Sequence, residues 1–261
     1  MEKIGVFDSG IGGLTVMRAL RTAFPGLDMV YLGDTARVPY GGRSAQTIIR
    51  YSVDDAEFLL SQGVSAIIIA CNTASAVAMD ELKRRFSVPV YGVIENAAAR
   101  AAGLSRTGTV GVIATQATVA SSAYEAALLA HRPELQVISQ ACPLLVPMIE
   151  NGLAPDDEIT ELLCRRYLAG FENTGTDVLI LGCTHYAVYR DTISRLLPGV
   201  TLVNTGEALA HALRESYGAC RQGSGHVEYY VTERSVAFND IVRIMDPEAD
   251  VDSIRVEAGF L

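Results

Sequence analysis

Short apolar runs alternate along the chain with stretches whose apolar residues recur at helical spacing. The run at residues 66–70 is apolar at every position, which is typical of a strand buried on both faces of a parallel sheet. Strands that alternate with helices in this way indicate an α/β fold with a parallel sheet. The pattern predicts strands at residues 3–7, 28–32, 66–70 and 90–94, and helices at residues 15–24, 44–62 and 75–86.

The order of these segments repeats in the second part of the chain. General likeness between strand–helix units is one explanation, and duplication of an ancestral half is the other. We favour duplication, which predicts two similar parallel-sheet α/β domains related by pseudo-symmetry, with any active site in the cleft between them. The matched segments are residues 3–9 and 109–115, 29–31 and 136–138, 69–73 and 181–185, and 90–93 and 201–204.

The repeat also predicts where the domains divide. The first boundary lies in an alanine-rich stretch, and the second follows the last matched segment. Residues 227–232 and 235–245, beyond the repeat, have strand-like and helix-like patterns. They are too few for a third domain, so we expect them to pack on the first domain. The predicted domains are residues 1–97 with 208–261, and residues 98–207.

Composition places the chain among folded, globular proteins. Hydrophobic residues make up 49% and charged residues 20%, which excludes a disordered chain. The formal net charge of −9 argues against a broad basic surface, so no nucleic-acid partner is expected. The apolar runs are far shorter than the roughly 18 residues of a membrane span, and no apolar leader is recognisable. We therefore expect a cytoplasmic protein with no membrane partner.

The five cysteines are an odd number, and none belongs to a Cys-x-x-Cys pair. A disulfide framework is not expected in a reducing compartment. Each cysteine is then a buried filler, a metal ligand or a reactive thiol. The five are Cys71, Cys142, Cys164, Cys183 and Cys220.

Polar residues follow the predicted strands of both halves. Ligands of open parallel sheets bind beyond the carboxyl ends of the strands, so these residues are the candidates for a site. They are Asp8, Ser9, Pro39, Tyr40, Gly41, Cys71, Asn72 and Thr73 in the first half, and Thr115, Glu150, Cys183, Thr184 and His185 in the second.

Cys71 and Cys183 occupy equivalent places in the two halves, each before a predicted helix. A helix N-terminus lowers the pKa of a thiol from about 8.5. If the halves face each other, the thiols flank a bound molecule and suit proton removal on one face with delivery on the other. Three alternatives stay open: two buried small residues, a metal site completed by His185, and a Cys–His nucleophile for amide hydrolysis.

The glycine-rich segment at residues 8–13 follows the first strand. Thr15 stands where a dinucleotide fingerprint has its third glycine, and the Gly-Lys-Thr of a phosphate loop is absent. The amides and Ser9 suit a carboxylate at a helix N-terminus instead. Asp8 is either part of that site or the N-cap of the helix. No lysine lies near these loops to hold pyridoxal phosphate, and no cofactor is expected.

Five segments together resemble the glutamate racemases of the aspartate/glutamate racemase family. The combination is specific, whereas any single segment is not. The segments are residues 5–15 (GVFDSGIGGLT), 32–41 (LGDTARVPYG), 70–74 (ACNTA), 142–150 (CPLLVPMIE) and 181–186 (LGCTHY).

The resemblance implies a cofactor-independent isomerase that interconverts L- and D-glutamate and supplies D-glutamate for peptidoglycan. Cys71 and Cys183 would alternate as base and acid on the α-carbon, assisted by Asp8, Glu150 and His185. The resemblance implies a homodimer, and it implies no metal ion. Substrate binding is implied for Asp8, Ser9, Pro39, Tyr40, Gly41, Cys71, Asn72, Thr73, Cys183, Thr184 and His185, to which the internal repeat adds Thr115.

Two positions depart from the family pattern, and two other functions stay open. Asn96 and Ala187 stand where proline is expected, which affects hinge stiffness and rate more than reaction type. An aspartate racemase is the first alternative, because a pair of thiols does not measure side-chain length. The second is a non-catalytic, amino-acid-binding regulatory protein that has kept the cleft.

Overall fold

Two separate parallel sheets form the framework of the protein. The computed structural model describes residues 3–217, 223–257 and 259, so Cys220 lies outside the described residues. The strands are β1 (Lys3–Asp8), β2 (Asp28–Gly33), β3 (Ala66–Ile69), β4 (Val90–Gly92), β5 (Thr109–Ala114), β6 (Gln136–Ala141), β7 (Val178–Gly182), β8 (Thr201–Asn204), β9 (Val227–Val231) and β10 (Arg255–Val256).

Helices connect the strands, as the alternating pattern predicts. Short 3₁₀ helices at Tyr40–Gly42 and Thr184–Tyr189 lie in two of the loops that follow strands. The α-helices are α1 (Leu14–Ala23), α2 (Ala45–Ser61), α3 (Asn72–Arg85), α4 (Val93–Leu104), α5 (Gln116–Ala120), α6 (Ala123–His131), α7 (Leu145–Glu150), α8 (Glu158–Leu168), α9 (Arg190–Leu196), α10 (Thr205–Tyr217) and α11 (Phe238–Met245).

Helix α2 shows how the sequence pattern forms an element. The Ser44 side chain accepts a hydrogen bond from the Thr47 amide, which caps the helix. Buried residues then recur three or four positions apart and form one stripe against the first sheet. The stripe contains one ionisable side chain, Asp55, among Ile48, Ser52, Val53, Ala56 and Leu59.

Two predicted boundaries shift in the structure. The helix predicted at residues 75–86 begins earlier, at Asn72, because Cys71 is its N-cap and the sulfur accepts a hydrogen bond from the Ala74 amide. The strand predicted at residues 90–94 is shorter, since α4 begins within it.

The two sheets share one strand order, which confirms the two similar halves. The six-stranded sheet has the order β10-β9-β2-β1-β3-β4, and the four-stranded sheet has the order β6-β5-β7-β8. Strands β2-β1-β3-β4 and β6-β5-β7-β8 are therefore connected alike, and all neighbouring strands are parallel.

Strand register refines the predicted repeat. Gly5 lies opposite Val30, and Gly111 lies opposite Ile138, so the match of the second strands was wrong by one residue. The match of β4 with β8 shifts by one residue for the same reason. The third match holds, because β3 and β7 pair with β1 and β5 in the same register and place Cys71 and Cys183 at equivalent ends.

The predicted domain boundaries fall inside helices. The break at 97/98 lies within α4, whose alanines pack with Val110, Val112 and Ile180 of the second sheet. The break at 207/208 lies within α10. The division at those residues stays a prediction.

The C-terminal elements pack on the first sheet, as predicted. Strand β9 pairs with β2, and β10 pairs with β9. An ion pair of 3.0 Å between Arg21 and the buried Asp246 joins α1 to this segment. In the part of the chain that the structure describes, no helix has both the length and the apolar character needed to cross a membrane.

Candidate active site

The loops beyond the two sheets approach each other so closely that glycine is required. A Cβ atom on Gly12 would lie 2.4 Å from both Thr184 Oγ1 and His185 Nδ1. A Cβ on Gly41 would lie 2.7 Å from the Cβ of Thr115. Both contacts are shorter than real side chains allow, so the two glycines let the halves close on a narrow cleft.

Cys71 is buried between β3 and α3 and has polar partners. The residue is 4% exposed, and its thiol donates to Ser9 Oγ at 3.5 Å. Burial and the charge of Asp8 raise the pKa of Cys71 to about 12, although the hydrogen bonds with Ser9 and with the Ala74 amide act in the opposite direction. The helix N-terminus does act to lower this pKa through the Ala74 amide, but burial and Asp8 outweigh it, so the expected lowered pKa of Cys71 is wrong.

Cys183 has a different surrounding, although it occupies the equivalent strand end. It is 8% exposed, and the 3₁₀ helix Thr184–Tyr189 follows it instead of an α-helix. Its sulfur lies 3.9 Å from His185 Nδ1, and His185 Nε2 lies 3.1 Å from Glu150 Oε1. Three groups from separate positions of the second half thus form one line.

His185 carries a proton in this line at neutral pH. Burial alone would lower the pKa of His185, but hydrogen bonds with Cys183 and Glu150 and their negative charges raise it to about 10. An imidazolium donates from both nitrogens, which matches an acceptor on each side of the ring. A positive charge therefore stands beside the Cys183 sulfur.

Asp8 connects the first half to the loop of the second thiol. Its Oδ2 accepts from the Gly10 amide at 3.1 Å, and its Oδ1 accepts from Thr184 Oγ1 at 3.4 Å. Burial raises the pKa of Asp8, while the charge of the protonated histidine in the cleft opposes this. Gly13, not Asp8, precedes α1, so the N-cap alternative for Asp8 is wrong.

A cluster of hydroxyl groups spans the cleft. Thr73 Oγ1 lies 2.9 Å from Thr115 Oγ1, and Thr118 Oγ1 lies 3.3 Å and 2.9 Å from these two atoms. Thr115, predicted as the counterpart of Ser9, thus lies beside Thr73 of the first half. Thr118 was missed, and its only sequence signal is its position three residues after a helix cap.

Asn72 is held by two residues of the second half. Tyr124 donates its hydroxyl to Asn72 Oδ1, and Asn72 Nδ2 lies 3.5 Å from Thr205 Oγ1. Both partners are buried. The sequence analysis missed them, because neither lies at the end of a strand motif that carried the prediction.

Residues 39–41 divide between the surface, the core and the cleft. Pro39 is exposed, whereas the Tyr40 side chain is fully buried and donates to Asp34 and faces Asp55. Gly41 presents its main chain to the cleft. The Tyr40 hydroxyl therefore contacts buried carboxyl groups of the first half.

The arrangement separates the open alternatives for the cysteines. Buried filler would not need the polar partners that both thiols have. Among the described residues, no group of three or more His, Cys, Asp or Glu side chains could hold a metal ion. The line of Cys183, His185 and Glu150 suits a nucleophile, but that function leaves Cys71 without a role. Two thiols in one buried cleft suit proton transfer to and from a carbon atom.

Fold and site together define an α/β protein whose related halves each supply one thiol to a shared cleft. The chain belongs to the Asp/Glu/Hydantoin racemase family, whose model matches residues 4–213. This membership confirms the resemblance of the five segments.

Individual relatives cover nearly the whole chain. The glutamate racemase of Aquifex aeolicus (strain VF5) is 47% identical over 99% of this chain and 100% of its own length. The structure of the Thermus thermophilus glutamate racemase with β-chloro-D-alanine is 41% identical, with a TM-score of 0.86 over 98% of this chain and 96% of that one. The Francisella tularensis SCHU S4 glutamate racemase with D-glutamate is 36% identical, with a TM-score of 0.88 and the same coverage.

Proposed function

We propose that this protein is a glutamate racemase, which interconverts L- and D-glutamate by moving the α-proton between two thiols and supplies D-glutamate for peptidoglycan. The carrying observation is the placement of Cys71 and Cys183 at equivalent strand ends of two halves that close on one cleft. The names of the relatives support glutamate as the substrate, in preference to aspartate.

The groups around the two thiols support a mechanism in which the thiols differ in protonation. One thiol must be ionised to accept the α-proton, and the other must be protonated to deliver one. His185 lies 3.9 Å from the Cys183 sulfur, and the raised pKa of Cys71 keeps the proton of that thiol in place. Removal of the α-proton breaks the C–H bond and forms an S–H bond on one face, while the S–H bond of the other thiol breaks to form a new C–H bond.

The chemical difficulty is an α-proton far less acidic than a thiol. The site must stabilise a carbanion-like transition state with fixed donors in a dry cleft. The hydroxyls of Thr73 and Thr115 and the amides at the start of α3 are available as donors, whereas the Thr184 hydroxyl donates to Asp8. Low exposure of both thiols supports exclusion of water. We assign substrate carboxylates and amine to these groups, with Ser9, Asn72 and the main chain of Gly41.

The proposal includes no cofactor, a cytoplasmic location and a homodimer. A reducing compartment keeps both thiols available for proton transfer. The homodimer rests on the family resemblance, and sedimentation equilibrium tests it directly.

Proton exchange at the α-carbon tests the proposed function. The purified, reduced protein is incubated without added cofactor in deuterated water, with L-glutamate and then with D-glutamate. We expect deuterium at the α-carbon together with the opposite enantiomer in both reactions. Absence of both from a folded sample contradicts the proposal. Parallel reactions with aspartate test the first alternative, and calorimetric glutamate binding without exchange supports the regulatory protein.

A further inference from the structure

A buried polar cluster lies under the loop that joins β2 to α2, and the proton transfer described above does not use it. We call it the Tyr40 cluster. Its acidic members outnumber its single cation, and most of its side chains are buried. The cluster consists of Asp34, Arg37, Tyr40, Asp54 and Asp55.

The Tyr40 hydroxyl touches two buried carboxyl groups at once. It is in hydrogen-bond contact with Asp34 Oδ2 and lies 2.9 Å from Asp55 Oδ2. A phenol has one proton to donate, so it cannot satisfy two carboxylates. Two ionised carboxylates around one hydroxyl would also repel each other in a buried place. One of the two carboxyl groups must therefore carry a proton.

The surrounding donors indicate which carboxyl group is protonated. Asp34 already accepts from Thr232 Oγ1 at 3.1 Å and from Arg37 Nε, in addition to Tyr40. Asp55 accepts a single Arg37 nitrogen at 3.1 Å, and its other oxygen faces Tyr40. Every group has a hydrogen-bond partner if a protonated Asp55 donates to the Tyr40 oxygen and Tyr40 donates its own proton to Asp34. Burial and the nearby charge of Asp34 also raise the pKa of Asp55.

The cluster connects directly to the cleft. The amide of Asp34 donates to the Asp8 carbonyl at 2.9 Å. Val38 lies against Gly10, since a Cβ atom added to Gly10 would be 3.0 Å from Val38 Cγ2. Gly41, next to Tyr40, approaches the second half as described above. Val38 thus lies against the glycine-rich loop, and Gly41 lies against the opposite wall.

We propose that Tyr40 is a positioning residue. A protonated Asp55 donates a hydrogen bond to the Tyr40 oxygen, and the Tyr40 hydroxyl donates to Asp34. These two hydrogen bonds fix residues 38–42 against Thr115 and so set the affinity for glutamate. This inference rests on the proposed function, and it extends that function to groups that do not touch the substrate. The side chain of Tyr40 acts through the main chain of Gly41.

Three variants test this assignment in the full-length protein. We expect Tyr40→Phe to raise KM about tenfold with a small change in kcat, because one hydrogen bond to a charged group is lost. Asp55→Asn replaces a neutral acid by a neutral amide of the same shape, so KM should stay within about twofold of the wild type. Asp34→Asn removes the carboxylate and should raise KM at least as much as Tyr40→Phe.

Each outcome of the kinetic comparison decides a part of the inference. An unchanged KM in Tyr40→Phe overturns the positioning role. Equal damage in Asp55→Asn and Asp34→Asn overturns the placement of the proton. Thermal unfolding of each variant separates these effects from misfolding, because a merely stabilising cluster would lower Tm without changing KM.

Two measurements are independent of racemase activity. The infrared band of a protonated carboxyl group should be present in the wild type at neutral pH and absent from Asp55→Asn. Amide hydrogen exchange of residues 38–42 should accelerate in Tyr40→Phe and not in Asp55→Asn. If the wild type neither racemises nor binds glutamate, the proposed function fails, whereas these two measurements still decide the cluster. Their failure in an active enzyme overturns the inference alone.

Discussion

The hydroxyl of Thr15, on α1, lies 3.1 Å from the main-chain carbonyl of Thr184 across the cleft. The same hydroxyl lies 2.8 Å from the Gly12 carbonyl, so it connects the glycine-rich loop of one half to the residue that follows Cys183. The orientation of the second thiol loop is therefore maintained partly by a side chain of the other half.

Thr15→Val should reveal this connection. The variant keeps the shape of the side chain but leaves the buried Thr184 carbonyl without this donor, whereas the Gly12 carbonyl keeps the Thr15 amide. We expect a cost of about 1–2 kcal/mol in the free energy of unfolding. We expect a lower midpoint in urea and a reduced kcat. Thr22→Val is a matched control, because the Thr22 hydroxyl donates to a carbonyl within α1 at an exposed position. An equal loss of kcat in both variants would contradict the connection.

Removal of either thiol should stop racemisation. Cys71→Ala and Cys183→Ala each delete one partner in proton transfer, and we expect kcat to fall by about 10²–10⁴ or more. Chiral chromatography of both reaction directions measures the loss. Cys164→Ala is the matched control, since that thiol is buried in α8 and no role in the cleft is proposed for it. Full activity in either cleft variant would exclude the two-thiol mechanism.

Activity should decline in alkaline solution as His185 loses its proton. The folded pKa of about 10 lies above the ordinary value of 6.5. The stability that this proton contributes is therefore complete below about pH 6.5 and is lost as the pH rises through about 10. Glu150→Gln removes a negative charge that raises this pKa, so the alkaline decline of kcat should shift to lower pH. A profile that does not move in Glu150→Gln would show that another group causes the decline.

Gly12→Ala should separate the halves. The added Cβ would meet Thr184 and His185 at 2.4 Å, so the loops must move apart. Overpacking of this kind costs about 1–3 kcal/mol, and we expect kcat/KM to fall more than tenfold. Gly103→Ala is the control, because nothing lies within 4 Å of its added Cβ and the residue lies near the end of α4, away from these loops. Normal activity in Gly12→Ala would contradict the close approach of the two loops.

The order of elements and the pair of thiols could be predicted because both depend on local sequence pattern. Apolar runs identify buried strands, and the repeat places Cys71 and Cys183 at equivalent ends. The pKa of Cys71 could not be predicted in the same way. Its value depends on complete burial and on the charge of Asp8, which lies far away in sequence and outweighs the effect of the helix end.

The directions of the side chains in the cleft could not be predicted from the sequence either. The motif around Tyr40 indicates a substrate contact, but the Tyr40 hydroxyl faces Asp55. The sequence pattern places Asp55 only in the buried stripe of α2. Tyr124 has no motif at all and contacts the site only because α6 folds back on it. Such pairings depend on tertiary packing, which strand and helix patterns do not encode.

One departure from the family pattern has a local explanation. Asn96 lies in the first turn of α4, and its side-chain amide donates to the Gly92 carbonyl at 3.2 Å. A proline there would stiffen the backbone through its ring, whereas asparagine fastens the junction of strand and helix by a hydrogen bond. Nothing in the structure explains why alanine stands at Ala187.

The different surroundings of Cys71 and Cys183 can affect the kinetics of the two reaction directions only within a limit. Free L- and D-glutamate are mirror images and have the same free energy in water, so a racemase operates at an equilibrium constant of unity. The ratio kcat/KM must then be the same in both directions, however differently the two thiols hold their protons. The difference between an imidazolium on one side and a serine hydroxyl on the other can appear only in the separate values of kcat and KM. The two similar halves can therefore differ around their thiols without favouring either enantiomer at equilibrium.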